Sequence, residues 1–185
     1  MARIPYPDLT NAPEDVRSLA ARLPPLNIFR MLPHMPTFLR GFGQLGTAIL
    51  GHAALDARLR ELIILRGGRC SPAPYEWQQH VPIGRACGVS ADEIAALERG
   101  EIDAACFEER ARTVLQFTDE LLAAPRASDG MLAAMRRLFS DREVCEATLT
   151  VGFYMMVARF LETTGVDLEA AGAEPVDVMK RIKRD

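Results

Sequence analysis

Glu76 and His80 stand four positions apart in the stretch "APYEWQQH", where a helix begins after Pro74. A helix through these residues places Glu76, His80, Ile83 and Cys87 along one stripe, with Trp77, Val81 and Gly84 on the neighbouring one. An imidazole one turn from a carboxylate and beside an indole is the arrangement that general acid or base catalysis asks for. The carboxylate can fix the ring tautomer and raise its basicity, while burial favours the neutral forms of both, so the two groups titrate as a coupled pair. The spacing has a second reading, because a glutamate in a first helical turn is favoured by the helix dipole without any catalysis. A further acid, Glu61, lies on the preceding apolar segment "ELIIL", where it can reach the same site or pair with Arg58 or Arg60. Tyr75 flanks Glu76, and Tyr154 and Arg159 lie on the last apolar segment beside Phe153. Together with Trp77 these form a candidate substrate-binding set, in which Arg159 holds a carboxylate against aromatic rings; the other reading of Arg159 is an interface or helix-end ion pair.

The elements that must carry these groups read as helices. Hairpin turns and alternating strand patterns are scarce, whereas helix signals recur along the chain. Asp56 can cap "ARLRELIILRGG", whose Leu62, Ile63, Ile64 and Leu65 cover enough of the circumference to demand burial on several sides. Pro74 suits a first helical turn, and Gly88 a C-terminal cap. Ser90 with Glu93, and Ser140 with Glu143, have the spacing of capping boxes. Upstream, "NIFRMLPHMP" reads as a turn of helix and a proline kink before a helix from about Pro36 to Leu50, and Gly67 and Gly68 are expected to loosen the helix they end. The expectation is an all-α bundle of seven or eight helices in a single domain over 1–185, with a core over 36–165, an N-terminal extension over 1–35 and a charged tail over 166–185.

Composition narrows the function. The chain has 185 residues, 49% of them hydrophobic, with a net charge of −3, which gives no basic surface for nucleic acid. Apolar runs such as "TVGFYMMVARFL" are short or interrupted for a bilayer span, and the N-terminus lacks a signal-like apolar segment, so a cytoplasmic protein with no membrane partner is expected. The cysteines at 70, 87, 106 and 145 form neither a CxxC pair nor a Cys/His knuckle, so no disulfide frame and no metal site are expected. His34 and His52 have no spaced ligand partners, and Met155 and Met156 read as core filler.

The run "RELIILRGG" followed by "APYEWQQHVPIGRACGVSADEIAAL" resembles the carboxymuconolactone decarboxylase and AhpD-like alkylhydroperoxidase superfamily, in which a glutamate-bearing helix precedes a helix carrying a histidine. The resemblance covers about residues 55–100, with weaker support from "LQFTDELL" and the last helix. It implies an AhpD-like helical subunit that assembles as a homo-oligomer, trimer or hexamer, with its site near subunit contacts and no cofactor. Glu61 and His80 match the relay acid and histidine of the AhpD-like branch, while Ala73 and Glu76 occupy its two cysteine positions. Disulfide cycling needs a low-pKa thiolate and a resolving thiol, which alanine and glutamate do not supply. The decarboxylase branch carries an acid four before the histidine, as Glu76 stands to His80. The resemblance thus implies cofactor-free decarboxylation or isomerisation of a small carboxylate or lactone by Glu61, Glu76 and His80. Two alternatives stay open: thiol peroxidase chemistry through Cys70 or Cys87, and a non-catalytic ligand-binding oligomer.

Overall fold

In the computed structural model, which describes residues 1–170, all regular structure is helical. The order is α1 (Glu14–Ala20), α2 (Asn27–Met31), a 3-10 turn (Leu32–His34), α3 (Pro36–Thr47), a π turn (Ala48–His52), α4 (Ala57–Cys70), α5 (Pro74–Ala86), α6 (Ala91–Arg99), α7 (Glu109–Ala123), α8 (Asp129–Leu138) and α9 (Asp141–Thr164). Nine α-helices among the described residues exceed the seven or eight expected. The difference arises around Pro33: α2 is a helix in its own right, closed by the 3-10 turn. Residues 171–185, most of the tail assigned from sequence, lie outside the described part.

Helix α4 is the axis, packed against α5, α6, α7 and α9. Its Leu62, Ile63, Ile64 and Leu65 are each 1% exposed or less, so the helix is buried all round as its composition requires. Asp56 accepts from the Leu59 N–H at 3.1 Å and starts it. Gly67 and Gly68 do not loosen it; the helix continues through both to Cys70. Both capping boxes form, at Ser90/Glu93 and Ser140/Glu143, and Gly88, Gly100 and Gly165 have the positive φ that stops α5, α6 and α9 without a Cβ clash.

The core divides in two along α4. Leu59, Leu62, Ile63 and Leu65 pack with α6, α7, α8 and the first half of α9, while Ile64 joins Leu26, Ile28, Met31, Tyr75 and the second half of α9. Arg66 ties α4 to α7 through paired bonds to Asp119 at 2.6 and 2.9 Å, and Arg58 reaches both Glu93 and Glu108. Contrary to the reading of its sequence, α9 is long and apolar enough to cross a bilayer; half of that apolar stretch is buried inside the bundle, where it supplies both halves of the core. Met156, expected in the core, is exposed.

The two ends of the described chain close over the second cluster. The backbone N–H groups of Arg3 and Ile4 donate to Thr164 O, and Asp167 takes the N-terminal ammonium at 2.8 Å and the Tyr6 hydroxyl at 3.3 Å.

Candidate active site

Glycine sets how closely α5 lies on α4. A Cβ on Gly68 would stand 3.2 Å from the Glu76 Cβ, and one on Gly84 would stand 3.3 Å from Leu65 Cδ1, so a side chain at either end would press on its neighbour. Pro74 occupies the first turn of α5, and Tyr75, Glu76, Gln79, His80 and Ile83 are its buried side chains that line a cavity.

The cavity, of about 160 Å³, has walls from four parts of the chain: Leu23 to Phe29, α3 with the following turn, α5, and the second half of α9. Its lining is apolar apart from the groups presented by α5, Thr47 and Tyr154.

Behind that lining His80 Nδ1 lies 2.8 Å from Glu61 Oε2. Glu61 is fully buried, and its other oxygen accepts from Arg60 Nε at 3.0 Å and Nη2 at 2.9 Å. The guanidinium provides the opposite charge that a buried carboxylate requires. Glu61 therefore holds the Nδ1–H, and Nε2 is the ring nitrogen left to accept or release a proton at the cavity. The Tyr154 ring meets His80 edge to face, with centroids 5.0 Å apart. Burial, and then the negative charges of Glu61 and Glu76, push the Tyr154 hydroxyl well above the ordinary tyrosine range, so it stays a phenol.

Glu76 is 2% exposed, and neither carboxyl oxygen has a hydrogen-bond partner among the described residues. Burial, reinforced by the charge of Glu162, raises its pKa to about 8. At neutral pH it is mostly a carboxylic acid, able to donate a proton. Gln79, one turn on, also has an unpartnered buried oxygen. Tyr75 lends its ring to the wall, while its hydroxyl donates to Glu169 Oε1 at 2.6 Å and accepts from the Ile28 N–H at 3.2 Å, pinning α2 over the cavity.

The structure brings together Glu61, Glu76, His80, Tyr75 and Tyr154. It does not bring in the other two. Arg159 is exposed, its guanidinium donating to the Met155 carbonyl one turn back at 2.7 Å, because its position on α9 faces away from α5. Trp77 is half-buried and packs on the first core cluster on the opposite face of α5. Sequence reasoning missed Gln79, although its i+3 spacing from Glu76 is a same-face signal. It also missed the cavity wall supplied by Leu23, Pro24, Leu26, Ile28 and Phe29. No thiol lines the cavity. Cys70 is exposed at the end of α4, where partial burial of its sulfur pushes the thiol up, and Cys87 Sγ lies 3.8 Å from Arg60 Nη2. No cluster of metal-ligating side chains occurs among the described residues.

These helices define an AhpD-like fold. An alkylhydroperoxidase AhpD core, peroxidase-related protein from Ralstonia eutropha JMP134 superposes with a TM-score of 0.78 at 21% identity, covering 91% of this chain and 92% of that one. A peroxidase-related protein from Silicibacter sp. TM1040 gives 0.79 at 17% identity, with coverage of 91% and 92%. A form of the debrominase Bmp8 in complex with 2,3,4-tribromopyrrole gives 0.65 at 18% identity, with coverage of 95% and 91%. No curated protein sequence matches the chain. Residues 36–120 match the model of the carboxymuconolactone decarboxylase family, and the fold is similar to that of AhpD-like proteins.

Proposed function

We propose that the chain is a cofactor-free acid/base enzyme that shifts a proton, and with it a double bond, in a small carbonyl or lactone compound. One observation carries the reading: an imidazole backed by a buried carboxylate and a buried, unpartnered glutamate line the same apolar cavity. His80 Nε2 takes a proton from the carbon next to the carbonyl as the Glu76 O–H protonates the carbonyl oxygen, giving a neutral enol. The imidazolium then returns its proton to a different carbon while the enol proton goes back to Glu76, so bonds and charge balance with no other reactant. Glu61 steadies the imidazolium.

Decarboxylation, the other reaction expected from the resemblance, would use the same donors to protonate the carbanion left by carbon dioxide. Isomerisation is favoured because, among the described residues, no free cation lines the cavity to hold a substrate carboxylate: Arg60 is engaged with Glu61 and Arg159 is exposed. A homo-oligomer, trimer or hexamer, cytoplasmic location and a small-molecule substrate complete the proposal.

The test follows the absorbance of α-angelica lactone as its double bond moves into conjugation. The wild-type chain is expected to accelerate the shift and to incorporate solvent deuterium, and His80→Gln to abolish both. Equal rates with and without protein would refute isomerisation, and carbon dioxide release from a β-keto or lactone acid, lost in His80→Gln, would assign decarboxylation instead. A chain with all four cysteines changed to serine is expected to keep its activity, which peroxidase chemistry through a thiol would not.

A further inference from the structure

Three buried oxygens with no hydrogen-bond partner among the described residues, Glu76 Oε1, Glu76 Oε2 and Gln79 Oε1, belong to two side chains one turn apart on α5 that line one cavity. A carboxylic acid places a single proton on its two oxygens, so at least two of the three remain acceptors. Buried acceptors of this kind are completed by a donor, and an occupant of the cavity that their side chains line is the nearest source of one.

Charge and size restrict it further. Glu76 is mostly neutral below about pH 8, and among the described residues the one guanidinium near the site, that of Arg60, is taken by Glu61. An anionic ligand therefore meets no free cation among the described residues, and a cationic one must first force Glu76 to ionise in an apolar surrounding. A cavity of about 160 Å³ is close to the roughly 150 Å³ apolar cavity known to hold benzene, so it has room for about one ring. Phe42, Phe153 and Tyr154 offer that ring aromatic walls.

We propose that Glu76 and Gln79 together read a hydroxyl on a neutral, single-ring ligand, an enol or its permanently enolic counterpart, a phenol. The substrate class becomes enolisable ring ketones or lactones: the keto oxygen accepts from the Glu76 O–H, and the enol O–H donates to Gln79 Oε1. The assignment to turnover rests on the isomerase reading, whereas the recognition of a hydroxyl does not. Gln79 is on this account a specificity residue.

The test is calorimetric titration of the full chain near neutral pH with phenol, its methyl ether anisole, benzoate and benzylamine. Phenol is expected to bind about tenfold tighter than anisole, the value of one good neutral hydrogen bond, and tighter than either charged compound. Gln79→Met, which keeps the volume and removes the amide, is expected to bring the phenol to anisole ratio close to one. Anisole equal to phenol in the wild-type chain, a charged compound binding tightest, no detectable phenol binding, or a ratio surviving in Gln79→Met would each overturn the proposal. The first three need no variant to fold. Phenol selectivity without lactone isomerisation removes the isomerase reading alone, and isomerisation without selectivity removes the hydroxyl reading alone.

Discussion

Glu76 is the residue whose behaviour depends most on its surroundings, since an ordinary glutamate in water gives up its proton near the usual value of 4.5, and this one holds it to about 8. Between those values the folded chain binds more protons than the unfolded one, so the favourable contribution is complete below about 4.5 and is lost as pH rises through about 8. Glu76→Gln is expected to flatten this fall. The melting temperature of the wild type should drop more between pH 6 and pH 9 than that of the variant, by the equivalent of a few kcal/mol at about 1.4 per pKa unit. Parallel curves would show that Glu76 titrates normally. His80→Gln should lower the lactone isomerisation rate by roughly 10²-fold or more, the range for a lost general base, and cost about 1–3 kcal/mol in stability because buried Glu61 Oε2 loses its imidazole partner. The grouping of Glu61, Glu76 and His80 was legible in the sequence because i,i+4 spacing is a geometric statement about a helix face, and Glu61 sits on the helix before it. Arg159 was misread for the complementary reason: charge type says what a residue can bind, and only the rotation of α9 says where it points.

At the scale of the element, caps and breakers were readable and angular relations were not. Asp56, Pro74, Ser90, Ser140 and the glycines at 88 and 100 each act within a few residues of their own position, so the sequence contains the whole cause. Gly68 acts instead on a partner helix. It was expected to weaken α4, and its use lies in the approach of α5, which no local pattern announces. Gly68→Ala should improve the intrinsic helix propensity of α4 by up to about 1 kcal/mol, yet cost more by pressing on Glu76, for a net loss of about 1–3 kcal/mol in chemical unfolding. The same change displaces Glu76 and should lower the isomerisation rate. A more stable Gly68→Ala chain would show that the two helices have slack at this contact.

The whole molecule places an aromatic-walled chamber where the second core cluster would otherwise be filled. Its roof comes from residues 23–29, which the sequence assigned to an extension, and the roof is pinned by groups far apart in the chain: the Tyr75 hydroxyl bridges the Ile28 N–H and Glu169, and Glu169 and Gln78 bond to each other through backbone and side chain. Bonds between the two ends of a chain have no signature in local pattern, which is why the all-helical class was legible and the chamber was not. Tyr75→Phe keeps the ring in the wall and removes the bridge, leaving a buried N–H and carboxylate less well satisfied, at a cost of about 1–3 kcal/mol. Hydrogen exchange should then speed up in residues 26–31 while the α4 amides keep their protection; unchanged exchange in α2 would show that the roof is held by packing alone. The chamber is what keeps Glu76 a neutral acid beside a histidine backed by Glu61. Carbon-13 resonance of the Glu76 side-chain carboxyl, followed through a pH titration of the intact chain, reads that state directly. The account expects a midpoint near 8, and a midpoint near 4.5 would contradict it, because the acid would then be an exposed carboxylate with no proton to give.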